Sequence, residues 1–255
     1  AFLPAIEDHE AAVELGEWVI DAALRQVGEW RARGLDVPVS VNIGARHLQA
    51  TDFMERLRKL LHKHADVPPH RLELEVLETS ALESMAHVSR IVEECAEIGV
   101  SSALDDFGTG YSSLAYLKRL PASHLKIDQL FVRDMLDDPD DLAILEAVLG
   151  LASAFRRGVI AEGVETAAHG KLLLQLGCEV AQGYGIGRPM PAHQILSWAN
   201  NWRPPPSWRE AKVIRREDVP LAYAMVEHRA MLVELEAYAS GETSRPPTLG
   251  LTGDH

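Results

Sequence analysis

The sequence predicts an α/β fold built on a parallel sheet with crossover helices, and three observations predict it. Strand-like and helix-like patterns alternate along most of the chain. The connections between them are short, as βα units allow. The length of 255 residues suits one α/β barrel of about 250 residues plus a tail. At this level a closed barrel and an open doubly wound sheet both satisfy the pattern.

Each element follows from its periodicity. Leu15, Trp18, Val19 and Ala22 recur at helical spacing, in a helix ending near Gly34. Alternation predicts a strand over 37–43, and Phe53, Leu57, Leu60 and Leu61 mark the next helix. A strand over 72–78 is followed by about twenty helical residues up to Gly99. Residues 100–107 are strand-like, 114–120 a short helix, and 124–131 the next strand. Leu142, Leu145, Leu149, Ala152 and Phe155 form one helical stripe. Then come a strand over 159–164, a helix over 167–176, a strand over 179–184 and a helix over 193–201. Pro204, Pro205 and Pro206 stop any helix. They divide a globular unit over 1–203 from a Pro-rich linker over 204–216. Beyond it Leu221, Met225, His228, Leu232 and Leu235 stripe one helix over 217–240, and 241–255 reads as a loose tail.

Composition narrows the function. With 25 basic and 38 acidic side chains the formal charge is −13. That argues against polynucleotide or anionic-membrane binding, which needs a basic patch. Cys95 and Cys178 stand far apart with no CxxC spacing, as reduced core thiols do in a cytoplasmic protein. No run of about 18 apolar residues offers a membrane span, and no signal peptide opens the chain.

Strand parity points to a site. Successive side chains of a strand face opposite ways. Val39 and Val41 oppose Ser40 and Asn42, while Leu72, Leu74 and Val76 oppose Glu73 and Glu75. Ser101, Ala103 and Asp105 share a face, as do His124, Lys126 and Asp128, then Ile160 and Glu162, then Val180, Gln182 and Tyr184. Six strands therefore place Asn, Glu, Asp, Lys, Glu and Gln near their C-terminal ends. Barrel interiors are normally filled by branched apolar layers, and barrel enzymes keep their chemistry at that rim. Unpaired buried charge is costly, so the set is read as functional. Asn42, Glu75 and Asp105 form an oxygen-rich site for a hard cation such as Mg²⁺ or Mn²⁺. The adjacent Asp105 and Asp106 suit two ions, the arrangement that clamps both oxygens of a phosphoryl displacement. Lys126 is placed to hold a water or offset phosphate charge, and Glu162 to reach a metal.

The stretch Asp105-Asp106-Phe107-Gly108-Thr109-Gly110-Tyr111-Ser112-Ser113-Leu114 resembles, residue for residue, a motif of the EAL-domain family, bacterial phosphodiesterases that linearise cyclic di-GMP. Val41-Asn42-Ile43, Glu75-Val76-Leu77-Glu78, Lys126-Ile127-Asp128, Glu162-Gly163-Val164-Glu165, Gln182-Gly183-Tyr184 and Arg188-Pro189-Met190-Pro191 are similar to further motifs of that family. The likeness runs from the first residue to about Trp202. It implies a TIM-like (β/α)8 barrel of EAL type, with one antiparallel strand. It implies metal binding, one or two Mg²⁺ or Mn²⁺ ions, by Asn42, Glu75, Asp105, Asp106 and Glu162. Lys126 and Glu162 are then catalytic, with Glu78 steadying the loop after Asp105 and Glu165 supporting the site. Gln182, Asp128, Arg188, Pro189 and Pro191 are expected on the binding side, the last three at the guanine pocket. A homodimer through the loop around Thr109 and the helix from Leu142 is also implied, as is an upstream sensor or cyclase domain.

The chain departs from the family at several points. The family's naming Glu-x-Leu is absent, and its place lies before Ala1, where Phe2-Leu3-Pro4 matches the segment that follows it. Six strands are legible where the barrel needs eight, so the first two are expected upstream of this chain. Leu77 stands where Thr is usual, and Gly185, Ile186 and Gly187 where bulkier residues are usual. The alternative function is a non-catalytic cyclic di-GMP receptor or scaffold. Degenerate members usually lose several carboxylates or the Lys, and none of those that can be checked is lost here. His47, His62, His64, His70 and His87 are expected on the surface, and His228 on the last helix's apolar stripe.

Overall fold

The computed structural model describes His9, residues 11–108 and residues 114–212. Phe2-Leu3-Pro4, the loop around Thr109, the 217–240 helix with His228 and the tail lie outside the described residues.

Helix α1 (Ala11–Ala32) comes first and buries Ile20, Leu24, Val27 and Trp30 on one stripe. Strand β1 (Val39–Ile43) is followed by the short α2 (Ala45–Leu48) and by α3 (Phe53–Lys63), which buries Phe53, Met54 and Leu57. Strand β2 (Leu72–Leu77) leads into α4 (Glu78–Glu83) and α5 (Met85–Glu97). Then come β3 (Ser101–Phe107), α6 (Leu114–Arg119), β4 (His124–Ile127) and α7 (Gln129–Asp134). Helix α8 (Pro139–Ala154) starts on Asp138, whose carboxylate accepts the Asp140 N–H, with Pro139 at the first turn where its missing donor costs nothing. Strand β5 (Gly158–Ala161), α9 (Ala167–Gln175), β6 (Val180–Ala181), α10 (Ala192–Asn201) and α11 (Pro206–Arg209) complete the order.

Among the described residues the six strands form one parallel sheet in chain order, curled as in a TIM-like barrel. The helices cover its outer face. Leu72, Leu74, Leu104, Leu125 and Ile127 are sealed beneath them, together with Leu24, Phe53 and Leu145. Each such burial contributes roughly 1.5–3 kcal/mol. Helix α1 is tied to its neighbours by Asp21, which meets Lys63 and His64, and by Trp30, whose indole N–H donates to the Ala192 carbonyl.

Four strands end before the sequence reading places their ends, β5 among them, which stops at Ala161 and not at 164. The predicted strand over 124–131 stops at Ile127, because the Asp128 carboxylate accepts the Leu130 N–H at 2.7 Å and starts α7. The apolar residues Leu130 to Val132 are therefore helical, and a short apolar run does not distinguish the two. Glu78 opens α4 and does not end β2. Strand β6 keeps only two residues of the predicted six. His47 also departs from its predicted surface place. It is 1% exposed, edge-on to Phe53 at 5.0 Å between ring centroids.

Candidate active site

Register places the polar residues side by side. Asn42 pairs with Glu75 across β1 and β2, and Leu77 with Asp105 across β2 and β3. Between β3 and β4 the register slips: Leu104 faces Leu125, but Phe107 faces Ile127. One extra residue on β3 makes a bulge there, and Asp106 takes a positive φ of 56°. In a regular strand Asp105 and Asp106 would face opposite ways. Across this bulge their carboxylate oxygens, with one from Glu162, lie within 4.8 Å of one another. A non-glycine residue in this conformation costs of order 1–3 kcal/mol and is held by its surroundings.

Lys126 lies at the centre. It is 3% exposed. Its Nζ is 2.7 Å from Glu75 Oε2, 2.8 Å from Asp105 Oδ1 and 2.5 Å from Glu162 Oε1. Burial alone would lower its pKa, but the bonds from Asp105, Glu162 and Glu75 outweigh burial and raise it. The ammonium therefore stays charged. One cation does not balance three anions. Burial, together with the charges of Asp105 and Glu75, raises the Glu162 pKa despite the bond from Lys126. Asp106 is raised by burial, by the charge of Asp105 and by a hydrogen bond with Asp128. The excess carboxylates suit a divalent cation. The set is all oxygen, from carboxylates with a neighbouring amide at Asn42, which fits a hard ion such as Mg²⁺ or Mn²⁺.

Further groups brace this centre. The Gln182 amide donates to Glu162 Oε1 at 2.8 Å. Glu78, 1% exposed, accepts the Gly108 N–H at 3.1 Å and so holds the chain just past the Asp pair. Asn42 is exposed on β1 beside Glu75. Glu165 is exposed, and its carboxylate is felt at His169 and Arg133. Arg188 stacks over the Tyr184 ring at 4.7 Å, Pro189 is exposed, and Pro191 caps α10.

A second polar layer lies two residues below the first. Ser40 Oγ donates to Glu73 at 2.9 Å, and His124 Nδ1 meets the other Glu73 oxygen at 2.5 Å. The bond to Glu73 raises the His124 pKa. For Glu73 burial opposes ionisation, yet His124 prevails and the pKa falls. The sequence reading placed these three on the polar face without giving them a role. Their signal was that same parity.

Comparison with known proteins agrees with this geometry. The family model described as EAL domain matches residues 1–189. The chain is 43% identical over 197 residues to the bifunctional diguanylate cyclase/cyclic di-GMP phosphodiesterase MucR of Pseudomonas aeruginosa, covering 77% of this chain and 29% of that protein. It is 34% identical over 204 residues to the oxygen sensor protein DosP of Escherichia coli, covering 80% of this chain and 25% of that protein. The chain thus spans between a quarter and a third of the length of these relatives. Among solved structures, a cyclic di-GMP complex of the PaMucR phosphodiesterase superposes with a TM-score of 0.72 at 42% identity, over 76% of this chain and 78% of that one. Fold, polar rim and matched residues converge, and the chain belongs to the EAL domain family.

Proposed function

We propose that this chain hydrolyses cyclic di-GMP to linear pGpG in a metal-dependent reaction. The observation that carries the reading is the buried Lys126 shared by Glu75, Asp105 and Glu162, with Asp106 brought in by the bulge. Relatives named as cyclic di-GMP phosphodiesterases support it. Asn42, Glu75, Asp105, Asp106 and Glu162 would hold one or two Mg²⁺ or Mn²⁺ ions. Bound there, the metal supplies electrophilic polarisation of the phosphodiester.

The chain's own residues do the rest. Lys126 keeps its proton and offers it as a hydrogen-bond donor to the attacking water or to the charge that grows on the phosphate. Glu162, held between Lys126 and Gln182, fixes the water's approach. The water oxygen joins phosphorus, the phosphorus bond to the ribose 3′ oxygen breaks, one water proton goes to that oxygen and the other stays on the new 5′ phosphate. Glu78 and Asp128 hold the segments that carry the Asp pair, and Glu165 supports the Glu162 loop. Arg188, with Pro189 and Pro191, serves the guanine.

Three wider readings go with it. Leu130 and Ile144 are exposed on α7 and α8, which supports a homodimer through the helix from Leu142 and the loop around Thr109. The names of the relatives support an upstream sensor or cyclase domain. Among the described residues no helix is long and apolar enough to cross a membrane, in keeping with a cytoplasmic site of action.

The test is turnover of cyclic di-GMP with Mn²⁺, read as linear dinucleotide by chromatography. Product is expected, and none after chelation. Lys126→Ala and Asp105→Asn should each lower kcat by at least about a hundredfold, the scale of losing one aligned charge-stabilising group. A folded, metal-loaded protein that binds the dinucleotide without cleaving it would overturn the proposal in favour of the receptor reading.

A further inference from the structure

Between β5 and α9 the chain runs through 162–166, and this loop carries Glu162. Its backbone is pinned in sequence. The Glu162 N–H donates to the Ile127 carbonyl at 3.1 Å, and the Val164 N–H to the Gln182 carbonyl at 3.0 Å. Gly163 has a φ of +75°, and a Cβ there would come within 2.6 Å of Gln129. The far end is held differently. The Glu165 N–H points at Nδ1 of His169, 3.4 Å away, in the first turn of α9. The His169 N–H in turn is capped by Thr166 Oγ1 at 3.1 Å. His169 is 6% exposed. The other two amides rest on backbone carbonyls, whereas the Glu165 amide rests on a titratable ring.

We propose that His169 is a positioning residue for Glu162: its neutral imidazole, with the proton on Nε2, anchors the end of the Glu162 loop and releases it on protonation. The inference rests on the phosphodiesterase reading. An imidazolium presents N–H at both nitrogens. Nδ1 would then face the Glu165 N–H donor to donor, and the bond is lost. Burial lowers the His169 pKa, and the carboxylates that face it, Glu165 on the loop, Asp134 on α7 and Asp137 beyond it, oppose that shift. Arg133, on α7, lies within the field of Glu165. Neutral at pH 7, the ring keeps the loop closed, and acid opens it. Glu162 sits three residues upstream, within 2.5 Å of Lys126, so a shift of the loop reaches the site directly.

The experiment compares wild type, His169→Gln and His169→Leu in the intact protein. Gln offers an acceptor that does not titrate, and Leu fills the space without an acceptor. Turnover of cyclic di-GMP is followed as kcat and KM from pH 5 to 8. Amide hydrogen exchange of the peptide covering 162–168 is measured on the metal-free protein. His169→Leu should lose roughly tenfold in kcat with KM little changed, on the scale of a small misplacement of a catalytic group, and exchange faster at Glu165. His169→Gln should keep near wild-type kcat and exchange at pH 7 and should lose the acid fall that wild type shows. Equal losses in both variants with the wild-type pH profile would make His169 a packing residue and overturn the proposal. Wild-type kcat and exchange in His169→Leu would overturn it as well. If wild type itself gives no product, the phosphodiesterase reading fails, and the exchange measurement still decides whether the ring anchors the loop.

Discussion

Asp106 concentrates two opposing demands in one residue. It accepts a strained φ of 56° and a raised pKa so that its carboxylate can join those of Asp105 and Glu162. Asn tolerates a positive φ about as well as Asp, and it removes one charge from a crowded anionic cluster. Asp106→Asn should therefore raise the stability of the metal-free protein by about 1 kcal/mol, a common gain when a functional compromise in charge is removed, while weakening Mn²⁺ binding and turnover. Thermal melts in chelator and Mn²⁺ titrations measure the two effects, and a variant less stable than wild type in chelator would refute the argument. The identity of the charged residues was legible from strand parity and from the ten-residue stretch around Asp105. How two neighbours reach one site was not, because a bulge depends on the partner strand's register and leaves no local mark in β3. The role of His169 was illegible for a similar reason. Its partner is a backbone amide, which carries no signature in the sequence.

At the scale of elements, the joint between α1 and α2 shows how packing overrides local expectation. On its own, His47 in the short, polar-looking helix Ala45–Leu48 suits the surface. In the fold it is sealed between Phe53 and α1, and a Cβ on Gly16 would lie 2.1 Å from its Nδ1. Elsewhere Gly→Ala inside a helix gains about 1 kcal/mol. At Gly16 the overpacking term of about 1–3 kcal/mol should win. Gly16→Ala is thus expected to lower stability in urea unfolding, and to raise it once His47→Ala has emptied the space. Stabilisation by Gly16→Ala alone would show that the two elements do not meet this closely. The long helices were legible because their apolar stripes repeat over three or more turns. The ends of β4 and β6 were not, since a cap such as Asp128 decides them by one hydrogen bond.

For the molecule as a whole, two buried histidines make stability sensitive to acid. Burial lowers the pKa of His47 below its usual 6.5, and that of His169 likewise. Above about pH 6.5 both rings are neutral folded and unfolded, and they make no difference. As pH falls below it, the unfolded chain takes up protons that the folded chain refuses, so stability is lost from about 6.5 down towards the folded values. His124, whose pKa Glu73 raises, acts in the opposite sense, so the readout is the difference between wild type and His47→Gln: between pH 8 and 5 the urea midpoint of wild type should fall relative to that of the variant. A difference that does not change with pH would mean that the His47 ring is solvated. The parallel sheet of the whole fold was legible from the βα rhythm, and the covering role of the segment after the three prolines was not. There the short helix Pro206–Arg209 brings the Trp208 indole N–H to the Ala167 carbonyl at 2.7 Å and lays the ring against Gly170 of α9. Anyone excising this unit for expression or for fusion to a reporter meets the consequence. A cut at the prolines, the natural place by eye, strips the lid from the helix that follows the Glu162 loop, whereas a cut after residue 212 carries the lid along.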